Sequence, residues 1–462
     1  MTTPPQQDIR HDWHDAGAPP RDEPCDEPCE RDSTHLDPLP QGSAWAAAPA
    51  RPREAWGMRA IRARFPATYR RLARAVAGAR PLWDRLGPLL VVAVALLALG
   101  YVHYVKQDFA LGPGLAGFAE INRVDAAKIG LSHLAVGSDV GYDGQFFFEL
   151  AYRPALVVDC AHSTLHCPTY DPVFRWQRML YPAAAWLAAF GQTALLPVAL
   201  LLVNLLTILA TVYLVGNLSV AAGASRWLGA AAGLFCGEAM SFLRDLSDPF
   251  GILWIVAAIY LFRKGRPLWA AAAVAAALLT REGYILYVPL LALPLVAARR
   301  WSTLARAAAI ALGPFLAWQV ALRALYGQWP LIAGDTRIAT LVHVPFLGLW
   351  RANGGYDFAL TVMCAAVPLV FAIAICLTGL WRDGPRSLLH DPVPLFALLY
   401  CVLFAFVNYP QWADLWGASR LAAPGIVLAL LVVAKLRSSA LRASYGTLLA
   451  LTALAPLVEI WH

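Results

Sequence analysis

The chain has 462 residues, of which 59% are hydrophobic and only 15% charged, against roughly a quarter charged in an ordinary soluble domain. Its net charge of +7 does not point to nucleic acid, because the basic residues gather beside the ends of apolar runs, where the positive-inside rule puts them. A soluble or nucleic-acid-binding protein is thereby excluded, and the expected class is all-α, a polytopic transmembrane helical bundle.

Residues 1–50 are polar, rich in Pro and Asp and poor in large apolar side chains, which predicts a disordered cytoplasmic tail with no cleavable signal peptide. Within it, "DEPCDEPCE" with His11, His14 and His35 fits no zinc-ligand spacing and reads as a solvated tail with a small duplication. Residues 51–86 are strongly cationic, as in "MRAIRARFPATYRRLARAVAGARPLWDR". They predict a basic juxtamembrane segment lying on anionic headgroups at the cytoplasmic face. The transmembrane domain then covers residues 87–462.

Its first span, about 87–105, delivers the chain to the outer side, and residues 106–179 form a long first extracytoplasmic loop carrying interfacial helices. The following run "MLYPAAAWLAAF" (179–190) falls short of the ~20 residues that cross a bilayer and predicts an interfacial or re-entrant helix. Charge bias supports this: if the run does not span, "RKGR", "RRWSTLAR", "WRDGPR" and "KLRSSALR" all fall inside. The remaining spans are then about 194–215, 227–244, 249–262, 267–280, 282–298, 303–322, 359–380, 393–408, 420–435 and 441–460. That makes about eleven, N-terminus in and C-terminus out. No internal repeat of the kind found in inverted-repeat transporters is visible.

This topology gathers ionisable residues on the outer face. They are Asp139, Asp143, Arg175 and Arg178 of the first loop; Arg244, Asp245 and Asp248 ("RDLSDP"); Arg281 and Glu282 at a hairpin tip; Asp335, Arg337 and His343; and Asp414 and Arg420. Glu238 lies about two turns inside a span, where an ionisable group is costly and so marks function by default. Seven residues separate it from Asp245, which predicts that the two share one helical face. Asn204 reads as an interhelical hydrogen-bond partner. Cys160 and Cys167 can pair in an oxidising loop, with His162 and His166 between them as the ingredients of a metal knot. Cys236, Cys364, Cys376 and Cys401 read as small apolar filler.

A carboxylate and several arginines at a membrane surface suit attack by a hydroxyl on a sugar linked to a lipid phosphate. The carboxylate serves as general base, and the arginines stabilise the departing phosphate. At this point "YDGQFFFELA", "RMLYP", "SDP", "LTREGYIL" and "GASRLAAP", in that order, resemble the pattern of GT-C superfamily glycosyltransferases, which use polyprenyl-phosphate-linked sugars; the likeness covers roughly residues 87–435. The resemblance implies Asp143 as catalytic base and Asp248, ahead of Asp245, as the second acid. It implies Arg281 and Arg420 as the grip on the lipid phosphate. Glu282, Glu238, Asp245, Arg178, Tyr142 and Gln145 complete the expected substrate-binding set. The first loop lacks the paired acids that many members carry, so no cofactor is required, although a divalent cation (Mg or Mn) is not excluded.

The expected reaction moves a sugar from a polyprenyl-phosphate-linked donor to a hydroxyl of a lipid or glycan acceptor, at the outer face of the plasma (inner) membrane. Membrane lipids are the other expected partners, and nucleic acid is not. A transporter or flippase of a lipid-linked sugar is the alternative. For the segment 141–150 itself, Asp143 can also be read as a helix N-cap, with the three phenylalanines that follow dipping into the membrane interface.

Overall fold

The structure, a computed structural model, describes residues 66–136, 141–162, 167–169, 171–333, 341–352 and 355–461. The chain divides into two units, Met1–Tyr69 and Arg70–His462. Nearly all of the first unit, including the expected disordered tail with "DEPCDEPCE", His11, His14 and His35, lies outside the described residues, as do Asp139, His166, Asp335 and Arg337. The second unit is built of helices, and the described residues contain no strand.

Helices occupy each of the eleven apolar segments, but among the described residues six are long and apolar enough to cross a membrane: Leu82–Lys106, Thr193–Ala221, Trp301–Tyr326, Tyr356–Asp383, Leu415–Lys435 and Ser439–Trp461. The others fall short for visible reasons. The expected span 227–244 is two helices, α1 (Trp227–Leu234) and α2 (Cys236–Leu243), broken at Phe235, whose backbone is extended (φ −60°, ψ 133°). The backbone N–H of Cys236, freed at the break, donates to Thr452 Oγ1 at 2.9 Å, the internal satisfaction that a low-dielectric setting demands. Helices α3 (Asp248–Arg263), α4 (Pro267–Thr280) and α5 (Val393–Ala405) have 16, 14 and 13 residues. At 1.5 Å per residue these reach ~20–24 Å, against a ~30 Å hydrocarbon core. The segment after Arg281 starts as a 3-10 helix, Glu282–Tyr287, before Val288–Ala297.

The central element is α6 (Leu415–Lys435), 94% buried over its most apolar window, whereas Trp301–Tyr326 is 22% buried and peripheral. Helix α6 packs against α5, α2 and Val367–Asp383. Its early turns, "GASRLAAPG", are rich in small residues that allow backbones to approach closely, as is common between membrane helices. Gly237 of α2 meets the carbonyl of Ser419, and Gly425 meets Cys401 Sγ. Among the described residues the free cysteines, Cys236, Cys364, Cys376 and Cys401, are all buried.

The polar segment 107–179 folds onto one end of this bundle. Its helix α7 (Gly144–Tyr152) buries every residue from Gly144 to Ala151. The three phenylalanines therefore pack inside the protein rather than at a lipid interface. Phe147 meets Tyr181 edge-on at 5.5 Å, Phe148 stacks on Tyr152, and the Arg175 guanidinium sits 4.1 Å over Phe146. Tyr181 belongs to the nine-residue helix Leu180–Ala188, at ~13 Å too short to span, and accepts from Asn204 Nδ2 at 2.8 Å. Cys160 and Cys167 form a disulfide next to Trp176 and Leu322. Trp318 and Tyr326 of the peripheral helix donate to the carbonyls of Trp176 (3.0 Å) and Val157 (2.6 Å). His162 Nδ1 lies 2.8 Å from the Val158 carbonyl; it is tied to its own helix.

Two predictions follow from this docking. A Cβ on Gly144 would collide with the backbone carbonyl of Arg244, which has no flexible end to yield. Gly144→Ala should cost about 3 kcal/mol, the upper end of overpacking penalties, and an unchanged thermal midpoint in lipid nanodiscs would contradict the contact. Glu149 is fully buried and accepts from Thr169 Oγ1 at 2.7 Å; burial pushes its carboxyl up to about 8. A raised folded-state value means its contribution is complete below the unfolded carboxyl's value near 4.5 and declines as pH rises towards 8. The decline approaches ~1.4 kcal/mol per pH unit. Glu149→Gln keeps the acceptor and should flatten that part of the stability profile; an equally steep variant would refute the burial account.

Candidate active site

Asp143 is the residue before α7, with helical φ −58° and ψ −24°, and its side chain makes no capping hydrogen bond. The N-cap reading is therefore replaced by a different engagement. One carboxylate oxygen accepts from Arg175 Nη1, and the other accepts from Arg420 Nη2 at 2.5 Å. Arg420 lies in the second turn of α6 and also brings Nη1 to 3.6 Å from Asp248 Oδ2. Asp248 opens α3 and accepts from Arg281 through Oδ1. Arg281 follows α4 in an extended conformation (φ −157°, ψ 125°), which turns its side chain off the helix axis.

The result is a charge-alternating chain, Arg175–Asp143–Arg420–Asp248–Arg281, contributed by five separate segments. Three guanidiniums share two carboxylates, so the chain carries one excess positive charge. Beside it, Arg178 makes a forked pair with Glu282, at 2.9 and 2.5 Å. Arg281 and Glu282 do not serve each other as a local hairpin-tip pair; each reaches a different segment. Removing one member of such a partly buried array leaves an opposite charge uncompensated, which costs more than a surface pair is worth.

Asp143 and the four arginines border a cavity of about 480 Å³. Its lining combines two chemistries: the guanidiniums of Arg175, Arg178, Arg281 and Arg420, and the amides and carboxylate of Asn122, Gln145 and Asp125. Tyr142, Asp143, Phe174 and Asp414 also line it. A cleft of similar size beside Trp186 and Trp318 has no charged residue in its lining. Burial opposes ionisation of Asp143, yet Arg420 and then Arg175 outweigh it and hold the carboxyl well below the usual carboxylate range. Burial also pushes the Tyr142 phenol up; its ring lies 5.2 Å from the Arg420 guanidinium and 5.0 Å from that of Arg244.

The expected site residues are thus distributed unequally. Asp143, Arg281, Arg420, Arg178, Tyr142 and Gln145 line one cavity. Asp248 and Glu282 stand behind it, holding arginines. Glu238 and Asp245 are buried outside the lining, and none of their carboxylate oxygens has a hydrogen-bond partner among the described residues. They do not share a helical face: α2 ends at Leu243, and Asp245 lies beyond it in the left-handed region (φ 49°). Burial pushes the Asp245 carboxyl well above its ordinary value.

Sequence reasoning missed Asn122 and Asp125. The available signal was an N-cap Asn followed three residues later by Asp, since Asn122 Oδ1 accepts from the Asp125 N–H at 2.8 Å. It also missed Glu120, which pairs with Arg244. Arg244 in turn sits 4.0 Å over the ring of Trp416 on α6, so this cluster ties the polar segment to the central helix.

Whether Mg or Mn fits here can be judged from the donors. Asp143 and Asp248 each face two guanidiniums, and no group of three His, Cys, Asp or Glu side chains gathers among the described residues. Carboxylates already neutralised by arginine are poor ligands for a hard dication, whereas a surplus guanidinium suits phosphate. Held in this way, Asp143 and Asp248 favour an anion beside them over a dication. Compared with protein-family models, with curated proteins and with solved structures, the chain matches none.

Proposed function

We propose that this cavity is the active site of a glycosyltransferase that moves a sugar from a polyprenyl-phosphate donor to a hydroxyl of a lipid or glycan acceptor, at the outer face of the plasma membrane. The observation that carries the reading is the shortfall of negative charge: three guanidiniums share two carboxylates beside an open cavity. A phosphate monoester or diester supplies the missing anion. Its apolar tail suits a cavity set at the end of a helix bundle. The eleven-segment, N-in and C-out arrangement and the GT-C likeness belong to this same reading.

In the proposed step, the acceptor oxygen forms a bond to the anomeric carbon as the bond from that carbon to the phosphate oxygen breaks. The acceptor hydroxyl proton passes to Asp143, and the phosphate leaves with the bonding electron pair. Arg281 and Arg420 stabilise the charge on the phosphate, so no general acid is needed. Clasped by two guanidiniums, Asp143 is a weak base. When the donor phosphate takes up Arg420, that clasp loosens and the carboxylate becomes more basic. Donor binding thereby prepares its own catalyst.

One observation favours carriage of a lipid-linked sugar instead: the helix broken at Phe235, with Glu238 in the first turn of the second piece. Discontinuous helices are the usual substrate sites of transporters. Transfer of radiolabelled sugar from polyprenyl-phosphate donors by the purified protein in nanodiscs separates the two. Asp143→Asn should lower turnover by a factor of ~10²–10⁴ without weakening donor binding. Arg281→Gln should instead weaken donor binding. No transfer by the parent, together with donor movement across vesicles, would replace the enzyme reading by carriage.

A further inference from the structure

Asn122, Asp125 and Gln145 line the cavity without taking part in the guanidinium–carboxylate chain. They are tied to one another: Asn122 Nδ2 donates to Asp125 Oδ2 at 2.6 Å and to Gln145 Oε1 at 3.0 Å, and the Asn122 backbone N–H donates to the same Gln145 oxygen at 3.2 Å. Lys128 Nζ donates to the other oxygen of Asp125 at 3.0 Å. All three are buried, at 6%, 8% and 3% exposure, so their orientations are fixed before anything binds. Gln145 spends its carbonyl on Asn122 and keeps its NH₂ out of this network.

We infer that Asn122, Asp125 and Gln145 form a subsite for the hydroxyls of a neutral sugar. The inference rests on the glycosyltransferase reading for the phosphate beside it, and adds which class of sugar is taken. A hydroxyl both donates and accepts. Each carboxylate oxygen of Asp125 holds one donor and has a further lone pair to accept with, and the Gln145 amide supplies the complementary donor. The charge balance selects against an amino sugar. Asp125 is already matched by Lys128, and the arginines of the lining are held by Asp143, Asp248 and Glu282. An ammonium group would meet Lys128 beside the subsite and find no unmatched acid among Asn122, Asp125 and Gln145. The sugar can be the donor's or the acceptor's, because both present the same hydroxyls.

Binding to the full-length protein in nanodiscs tests this, with decaprenyl phosphate either bare or carrying mannose, arabinose or 4-amino-4-deoxyarabinose. Methyl glycosides of the two neutral sugars are followed in parallel by saturation-transfer NMR. Asp125→Asn should weaken the neutral-sugar-loaded lipid by about fivefold, one net hydrogen bond, with bare decaprenyl phosphate unchanged; this assigns the donor sugar. A loss confined to the methyl glycosides assigns the acceptor sugar. Gln145→Met removes the NH₂ without adding a charge to the cavity, and should reproduce the pattern if Asp125→Asn does not fold. Equal weakening of bare and loaded lipid, no weakening of any sugar, or preference for the amino sugar would overturn the inference. Failure of bare lipid to bind the parent would remove the phosphate reading alone. The methyl glycosides then decide the subsite: a signal lost in Asp125→Asn upholds it, and no signal overturns it.

Discussion

Asp143 reaches across from the polar segment to Arg420 on the central helix, and that contact, with the Arg178–Glu282 pair beside it, joins the two halves of the site. On one side the carboxylate takes Arg175 from its own segment. On the other, Arg420 is shared with Asp248, which holds Arg281. Charges this poorly solvated persist only when each faces an opposite. The positions of α7, α3, α6 and the turn after α4 are therefore mutually constrained. The odd guanidinium in the chain is what gives the assembly an appetite for an anion. A fully matched array would be a structural lock, and an array short of arginine would hold a cation.

The surrounding fold supplies rigidity at this junction. The disulfide, Trp176 and the hydrogen bonds from Trp318 and Tyr326 anchor the polar segment to the peripheral helix. Glu120, Arg244 and Trp416 anchor it to the central one. Gly144 brings α7 against the backbone at Arg244, where no side chain fits. The short helix α3 opens with Asp248 and the short helix α4 is followed by Arg281, and their ion pair brings these two helix ends to one place. Shortness, a defect in a membrane span, here brings polar ends together.

Much of this was legible in the chain. The apolar segments, the short run 179–190 and the pairing of Cys160 with Cys167 follow from composition and spacing. The meeting of Asp143, Arg281 and Arg420 matches what the expected topology and the family resemblance together place in one site. What was not legible depends on contacts between distant segments. The break at Phe235 is flanked by Gly233 and Gly237, but the contact that holds it, from Thr452, comes from more than two hundred residues away. That break, and the end of α2 at Leu243, undid the expectation that Glu238 and Asp245 share a face. The phenylalanines after Asp143 look amphipathic in isolation, and only the packing partners Tyr181 and Tyr152 show that they face inward. Asn122 and Asp125 carry no distinctive motif, and their place in the cavity comes from Gln145, 23 residues on from Asn122.

The central claim is that Asp143 is an internal competitor for the guanidiniums that would hold a lipid phosphate. Comparing the affinity of bare polyprenyl phosphate for the parent and for Asp143→Asn in nanodiscs addresses it directly. If the carboxylate occupies Arg420 and Arg175 in the resting protein, its neutralisation should tighten phosphate binding, on the order of tenfold for ~1.4 kcal/mol of released competition. Weaker binding by the variant, or no binding by either form, would contradict the account.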